Sequence, residues 1–296
     1  MPSEGHHLVQ DLLDQLDLEA LEQRLFRGSS RDLGGKSVFG GQVAGQAMVA
    51  ATRTVDPAFL AHSMHGYFLR PGDMGAAIVY EVDNIRDGRS FATRRVQAIQ
   101  HGRPIFSMLA SFHVEESGYT HQMSMPDVAG PEDLASHDEL RHAWVDALDR
   151  VPESLREAVG REVAIDMRPV RPWNMLDPDK REAEQHVWLR AKAPLPDDQA
   201  LHRAVLTYAS DFNLLATSLF PHGVSFFSPG MQMASIDHAL WFHREFAVDD
   251  WLLYSMDSPG AQDARGLARG LIFNRAGELV ASVVQEGLIR QREQPR

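Results

Sequence analysis

The pattern of apolar and polar positions divides the chain into two halves, each with one main helix followed by a run of strands. A helix is indicated where small or apolar residues recur every three to four positions, and a strand where apolar and polar residues alternate. The first half is predicted to contain a helical lead-in and a short extended segment over 8–26, a helix over 43–52, and strands over 63–69, 76–82, 90–99 and 105–114. The second half is predicted to contain strands over 163–170 and 187–193, a helix over 200–219, and strands over 233–243, 251–256, 265–274 and 279–288.

The second half also repeats the order of motifs in the first. Each copy begins with a histidine-containing strand, continues through an arginine-containing segment, and ends in an apolar strand. The distance from His62 to Ser111 is 49 positions, and the distance from Ser235 to Gln285 is 50 positions. Two copies of one supersecondary unit commonly pack as a pseudo-dimer. Because the strands follow one another without helices between them, we predict an α+β fold of two tandem units, each a long helix packed on a curved antiparallel sheet.

A charged, proline-containing segment separates the two copies. Residues 115–160 include Pro126 and Pro131 and a charged stretch over 132–158, which is predicted to form a surface helix. We therefore predict an N-terminal unit over 1–118, a linker with a surface helix over 119–162, and a C-terminal unit over 163–296.

The composition is that of an ordinary globular protein, and its charge limits the choice of partner. The chain is 44% hydrophobic and 24% charged, with a formal net charge of −12. A surface this acidic repels nucleic acid and anionic lipid, and no apolar run approaches the roughly 20 residues that span a bilayer. Neither a secretory signal nor a peroxisomal address is evident, so we expect a cytoplasmic protein that binds no nucleic acid and no membrane.

No motif indicates metal or cofactor chemistry. The chain has no cysteine, which excludes a thiolate metal site and a cysteine nucleophile. It also lacks a phosphate-binding glycine loop, a Gly-x-Ser-x-Gly turn and a His-Glu-x-x-His helix. The pairs His62/His65 and His238/His243 have odd spacing on predicted strands, so the members of each pair point to opposite faces. We expect neither a metal nor a cofactor.

Three polar residues of the second copy stand out among apolar neighbours. Asp211 is predicted to lie in the middle of a helix, Ser235 to open the next strand, and Gln285 to end an apolar strand. At the place of Gln285 the first copy has Ser111. A carboxylate, a hydroxyl and an amide can together hold a water and accept its proton. They can equally form a buried hydrogen-bond network that fixes the helix on the sheet, and the pattern leaves both interpretations open.

Two histidines and two arginines are weaker candidates for contact with a substrate. His65 and His238 occupy similar places in the two copies, where they could contact a substrate or pack between the copies. Arg89 and Arg94 belong to an arginine cluster of the first copy, which could bind a phosphate or form a solvated strand face.

Several ungapped segments resemble the type II acyl-CoA thioesterases. In the first half these are FGGQVAGQ (39–46), HSMHGYFLRPG (62–72) and DGRSFATR (87–94). In the second half they are Ser210-Asp211, SIDHALWFHR (235–244) and VQEG (284–287). The resemblance extends from about residue 18 to residue 289 and implies a double hot-dog fold, in which a curved sheet wraps around a helix in each unit.

The resemblance also implies an activity and a set of site residues. The family activates water for direct attack on the thioester with an aspartate, a threonine or less commonly a serine, and a glutamine, which Asp211, Ser235 and Gln285 match. It implies medium- to long-chain acyl-CoA as substrate, no metal or other cofactor, and a homodimer or homotetramer. The alternatives are a non-catalytic protein that binds acyl thioesters and an enoyl-CoA hydratase. The hydratase pairs an aspartate with a histidine on one helix, and the segment 212–216 contains no histidine.

Overall fold

A computed structural model describes residues 4–146 and 161–292 of the chain. The first half contains two helices and six strands. They are α1 (Glu4–Leu16), β1 (Glu19–Glu22), β2 (Leu25–Gly28), α2 (Gly40–Thr52), β3 (Leu60–Phe68), β4 (Ile78–Asp87), β5 (Phe91–Gln100) and β6 (Arg103–His113).

The second half has the same plan with one more strand in its described part. It begins with a 3-10 turn and a short helix, and a second 3-10 helix follows its main helix. The elements are a 3-10 turn (Pro131–Asp133), α3 (His137–Asp146), β7 (Ile165–Pro169), β8 (Glu184–Ala191), α4 (Gln199–Ala209), a 3-10 helix (Leu215–His222), β9 (Met231–Ser235), β10 (Asp237–Phe242), β11 (Leu252–Gln262), β12 (Arg265–Asn274) and β13 (Leu279–Gln291).

The thirteen strands of the described ranges form one antiparallel sheet. Its order is β1-β2-β4-β5-β6-β3-β10-β13-β12-β11-β8-β7, and β9 pairs with the C-terminal part of β13. The two halves meet where β3 pairs with β10, with Gly66 opposite His238 and Met64 opposite Leu240. On each side of this junction the strands follow in matching order, which is the arrangement expected of two repeated units.

Helices α2 and α4 pack against each other as well as against the sheet. Gly41 and Gly45 of α2 face α4. A Cβ at position 41 would overlap the carbonyl oxygen of Tyr208. A Cβ at position 45 would stand 3.2 Å from the carbonyl oxygen of Ala204. The small residues of α2 therefore allow a close approach between backbones, and the approaching backbone is that of the other unit's helix.

Helix α4 is shorter than the sequence predicts. It ends at Ala209, with Ser210 as its C-terminal cap, and Asn213 in the following turn has a positive φ of 65°. The Tyr254 hydroxyl donates to the Ser210 carbonyl oxygen at 2.9 Å, so this carbonyl is satisfied from outside the helix. Asp211 therefore follows the helix instead of lying in its middle, which corrects the sequence prediction.

The strand predicted at the start of the second copy is two strands, β9 and β10. The Ile236 N–H between them donates to the Glu286 carbonyl oxygen at 2.9 Å, and the Glu286 N–H donates to the Asp237 carboxylate at 2.7 Å. These contacts with β13 interrupt the regular ladder. Ser235 consequently ends β9 and does not open a strand, and Gln285 lies inside β13 and not at a strand end.

The segment between the two units contains only short helical elements in its described part. The surface helix predicted over 132–158 corresponds to the 3-10 turn and to α3, and its remainder beyond residue 146 lies outside the described residues. Trp188 Nε1 donates to the Ala129 carbonyl oxygen at 2.8 Å, which ties this segment to β8. Across the ranges 4–146 and 161–292, no helix is long and apolar enough to cross a membrane.

Candidate active site

Asp211, Ser235 and Gln285 line one cavity of about 840 Å³. Asp211 comes from the turn after α4, Ser235 from the last position of β9, and Gln285 from the buried face of β13. Gln285 Nε2 donates a hydrogen bond of 2.7 Å to Asp211 Oδ1. Ser235 lies opposite Gly287, two residues beyond Gln285 on the neighbouring strand. The three side chains that the sequence singles out therefore converge on the same space.

The second oxygen of Asp211 lies against the first residue of α2. A Cβ at Gly40 would stand 2.8 Å from Asp211 Oδ2 and 3.0 Å from the ring of Phe68. The helix begins after Phe39, which provides no side-chain cap. The first N–H groups of a helix have no partner within it and carry partial positive charge, which favours a carboxylate beside them.

Behind Gln285 lies a buried polar relay that ends at the helix α4. Gln285 Nε2 is 3.0 Å from His238 Nδ1, and His238 Nε2 is 2.8 Å from Ser210 Oγ. The Ser210 hydroxyl donates to the Thr207 carbonyl oxygen at 3.0 Å. This chain of contacts connects the wall of the cavity to the last turn of the helix.

Burial determines the protonation of two groups in this relay. Burial lowers the pKa of His238, and the negative charges of Asp211 and Asp237 oppose that effect only in part. His238 is therefore neutral near pH 7. Burial, and to a smaller extent the charge of Asp211, raises the pKa of Tyr254 well above its usual value, so the hydroxyl stays protonated and donates to Ser210.

A second cavity of about 290 Å³ adjoins the first. Gly40 and Ser235 line both cavities. The walls of the smaller cavity are mainly apolar and include Val38, Val43, Phe68, Ile105, Phe106 and Met233. Arg70 is the one charged residue in the described lining of the smaller cavity, whereas the larger cavity carries three cationic side chains, Lys36, Arg141 and Arg161, and one carboxylate, that of Asp211. The catalytic candidates thus stand where a mainly apolar cavity meets a larger one with more cationic side chains.

Comparisons with known proteins decide the family. Residues 29–113 match the family model described as acyl-CoA thioesterase N-terminal domain, and residues 158–288 match the one described as acyl-CoA thioesterase. The chain is 40% identical over 283 residues to acyl-CoA thioesterase 2 of Haemophilus influenzae, in an alignment covering 96% of this chain and 98% of that protein. This chain belongs to the acyl-CoA thioesterase family.

Solved structures confirm the type and the fold of this thioesterase. An acyl-CoA thioesterase II, TesB2, from Mycobacterium marinum is 43% identical with a TM-score of 0.76, and the match covers 96% of this chain and 100% of that one. A hot-dog fold protein from Alicyclobacillus acidocaldarius is 17% identical with a TM-score of 0.74, and covers 96% and 99% of the two chains. The predicted double hot-dog fold and the resemblance to type II thioesterases are both confirmed.

The two histidines predicted to contact substrate lie on opposite faces of the thioesterase sheet. His65 is 48% exposed and contacts Asp237 Oδ2 at 3.0 Å, whereas His238 is fully buried and lines neither cavity. They do not occupy equivalent places, because a shift of one residue between two strands reverses the face of every side chain. His65 pairs with Ala239, and His238 pairs with Gly66.

Ser111 is likewise not the counterpart of Gln285. Ser111 lies between the buried residues Ala110 and Phe112, so its side chain faces away from the helix, and its hydroxyl bonds to His62 at 2.8 Å. Gln285 faces inward. The motif alignment of the two copies is therefore wrong by one position in this strand as well.

The two arginines predicted to contact substrate do not reach the candidate site of the thioesterase. Arg94 is only 2% exposed, and its guanidinium donates to Thr54 Oγ1 at 2.9 Å, to the Thr54 carbonyl oxygen at 2.9 Å and to the Arg86 carbonyl oxygen at 3.0 Å. Arg89 is an exposed residue of the turn between β4 and β5. Neither arginine lines the two cavities.

Sequence reasoning missed two features of this site. It did not identify Gly40 as the residue that makes room for the Asp211 carboxylate, although Gly40 is part of the segment 39–46. It also did not connect Ser210 to His238. The local pattern holds no signal for the second feature, because Ser210 and His238 are 28 positions apart and lie in different elements.

Proposed function

We propose that this thioesterase hydrolyses medium- to long-chain acyl-CoA to a free fatty acid and CoA, with water as the nucleophile. The observation that carries this proposal is the 2.7 Å hydrogen bond between Gln285 and Asp211 on the wall of a cavity that Ser235 also lines. The residues present are a base, a hydroxyl and an amide, which suit the activation of water without a covalent acyl-enzyme. The proposal requires no metal and no cofactor.

In the proposed reaction Asp211 takes a proton from a water molecule that Ser235 and Gln285 orient toward the thioester carbonyl carbon. A C–O bond forms as the carbonyl oxygen gains negative charge. We assign the stabilisation of that charge to the first N–H groups of α2, at Gly40 and Gly41, because Gly40 lies against the Asp211 carboxylate and the first N–H groups of a helix have no partner within it. The C–S bond then breaks, and the CoA sulfur receives the proton from Asp211.

The two cavities suit the two ends of the proposed substrate. The smaller, mainly apolar cavity suits the acyl chain, and the larger one can hold the CoA portion, with Lys36, Arg141 and Arg161 near its phosphates. Arg141 also pairs with Asp138, and Arg161 with Asp32, which restrains both guanidinium groups. The thioester would then lie at the junction lined by Gly40 and Ser235.

Release of free thiol from a series of acyl-CoA chain lengths tests this proposal. We expect hydrolysis of medium and long chains by the wild-type protein, palmitoyl-CoA included. In Asp211→Asn we expect a loss of kcat of about a thousandfold with an unchanged melting temperature, because the substitution keeps the size of the side chain and removes the base. Tight binding of acyl-CoA without turnover would favour the non-catalytic alternative, and near-wild-type turnover by Asp211→Asn would contradict the catalytic assignment.

We further propose a homodimer or homotetramer that works in the cytoplasm. Tyr67, Leu109 and Trp241 are 50%, 52% and 40% exposed on the neighbouring strands β3, β6 and β10. Large apolar side chains grouped on one face commonly mark an interface. Size-exclusion chromatography with light scattering should give a multiple of the monomer mass for wild type and a smaller particle for Trp241→Glu. Tyr119→Glu, at an exposed position outside these three strands, is the control, and a monomeric wild type would contradict the assembly.

A further inference from the structure

His238 is enclosed between Gln285 and Ser210 and cannot touch a substrate. Its side chain is fully buried, and both of its ring nitrogens are occupied by these two neighbours. Its place at the back of Gln285 means that any effect of His238 on the reaction passes through that amide.

The hydrogen bonds around His238 allow one arrangement of protons. An ionised Asp211 can only accept, so Gln285 must turn its amide nitrogen toward it. The second N–H of the same nitrogen then points at His238 Nδ1, which must present a lone pair. The ring proton is therefore on Nε2, and it is donated to Ser210 Oγ. The Ser210 hydroxyl can accept it because its own proton goes to the Thr207 carbonyl oxygen.

We propose that neutral His238, held as the Nε2–H tautomer by Ser210, is a positioning residue that fixes the orientation of the Gln285 amide. This inference rests on the proposed function, in which Gln285 and Asp211 orient and activate water. If the Nδ1 acceptor is lost, one N–H of a fully buried amide has no partner. Rotation of the Gln285 amide would remove this unpaired N–H. The same rotation would turn the amide oxygen toward the Asp211 carboxylate and break the hydrogen bond between Gln285 and Asp211.

The same orientation determines the direction of the amide oxygen. Gln285 Oε1 is buried, and within the described ranges it accepts no hydrogen bond. Because Nε2 is committed to Asp211 and His238, Oε1 is the part of the amide left for a donor at the cavity wall. A buried acceptor without a protein partner costs free energy, and such groups are concentrated at functional sites.

Two substitutions of His238 separate this role from simple packing. Asn places its side-chain oxygen near the position of Nδ1, so His238→Asn keeps the acceptor for Gln285 and loses the contact with Ser210. Gln places its terminal amide near the position of Nε2, so His238→Gln keeps a donor for Ser210 and loses the acceptor for Gln285. Both variants remove the aromatic ring, so each is the control for the other.

We expect kcat to fall about a hundredfold in His238→Gln and by less than about tenfold in His238→Asn, with little change in KM for either. Ser210→Ala should lower kcat as well, because it removes the acceptor that holds the tautomer. A role in packing alone predicts equal losses in the two His238 variants, and that result would overturn the inference. If the wild-type protein releases no thiol from acyl-CoA, the proposed function fails, and that assay is independent of the His238 variants.

The tautomer can be measured without any reference to activity. In ¹⁵N spectra of the labelled full-length protein, the signals of His238 are those that disappear in His238→Asn. We expect an unprotonated Nδ1 and a protonated Nε2 near pH 7. A proton on Nδ1 would overturn the inference even if the enzyme were fully active, because Gln285 would then face a donor.

Discussion

Gly40 lies directly against the carboxylate of Asp211, although the two residues belong to different units of the fold. A Cβ at position 40 would stand 2.8 Å from Asp211 Oδ2, closer than real Cβ atoms approach other heavy atoms. The ring of Phe68 would also be only 3.0 Å away, so one of the two side chains would have to shift to accommodate the new methyl group. The first unit therefore contributes the start of its helix to a site whose three candidate catalytic residues come from the second.

Gly40→Ala should reduce kcat by about a hundredfold, because it displaces the carboxylate from its position beside Gln285. The free energy of unfolding should change by less than about 1 kcal/mol, since alanine is tolerated at the start of a helix and the colliding side chains can shift. Steady-state kinetics and urea unfolding measure the two effects.

The neighbouring variant Gly41→Ala provides a matched control. A Cβ there meets the backbone of Tyr208 in α4, which cannot move aside as a side chain can. We expect Gly41→Ala to destabilise the protein by about 2 kcal/mol through the helix contact. Equal activity of Gly40→Ala and wild type would contradict the placement of the Asp211 carboxylate.

Ser235 should be replaceable by threonine but not by alanine. Its hydroxyl lies on the cavity wall, and within the described residues it takes part in no hydrogen bond with another side chain, so its loss should cost little stability. We expect Ser235→Ala to lower kcat by about a hundredfold with an unchanged melting temperature. Ser235→Thr keeps the hydroxyl and should retain activity within about tenfold of wild type. Unchanged hydrolysis by Ser235→Ala would remove this residue from the proposed mechanism.

Arg94 should matter for stability and not for substrate affinity. Its buried guanidinium donates to the Thr54 and Arg86 carbonyl oxygens, and Arg94→Ala would remove these buried hydrogen bonds. We expect the free energy of unfolding in urea to fall by about 3 kcal/mol. KM for acyl-CoA should stay the same in the folded fraction. Arg89→Ala, in an exposed turn, should change stability by less than about 0.5 kcal/mol, and a raised KM in either variant would restore the phosphate-contact hypothesis.

Local patterns predicted most of the strands but not the ends that shape the site. The predicted strand 265–274 coincides with β12, because alternation and a following turn are local signals. Apolar residues continue past the end of α4 at Ala209 to Leu219, and the Ser210 carbonyl oxygen is bonded by Tyr254, which is 44 positions away in the chain. A contact with so distant a hydroxyl leaves no local signal for the end of the helix.

The role of the catalytic candidates could not be predicted from the pattern either. Asp211 and Gln285 are 74 positions apart, and the pattern allowed them to meet as a water site or as a buried hydrogen-bond network. Only the resemblance to a family favoured the water site. The prediction that His65 and His238 occupy similar places in the two copies was wrong for a related reason. An alignment of the two copies by residue type does not reveal an offset of one residue. In a strand, such an offset exchanges an exposed side chain for a buried one.

Acidification should destabilise the fold before the carboxylates are protonated. Burial is the main cause that lowers the pKa of five histidines, His62, His137, His186, His238 and His243, and it brings that of His137 to about 4. In the unfolded chain a histidine has a pKa of about 6.5, so below that pH the unfolded state binds more protons than the folded state. The free energy of unfolding must therefore fall as the pH drops from about 7 to about 5. His137→Asn removes the histidine whose pKa is about 4. The urea midpoint of this variant should therefore decline less than that of wild type between about pH 7 and about pH 5. A midpoint that is independent of pH in the wild-type protein would mean that these histidines are charged in the folded state.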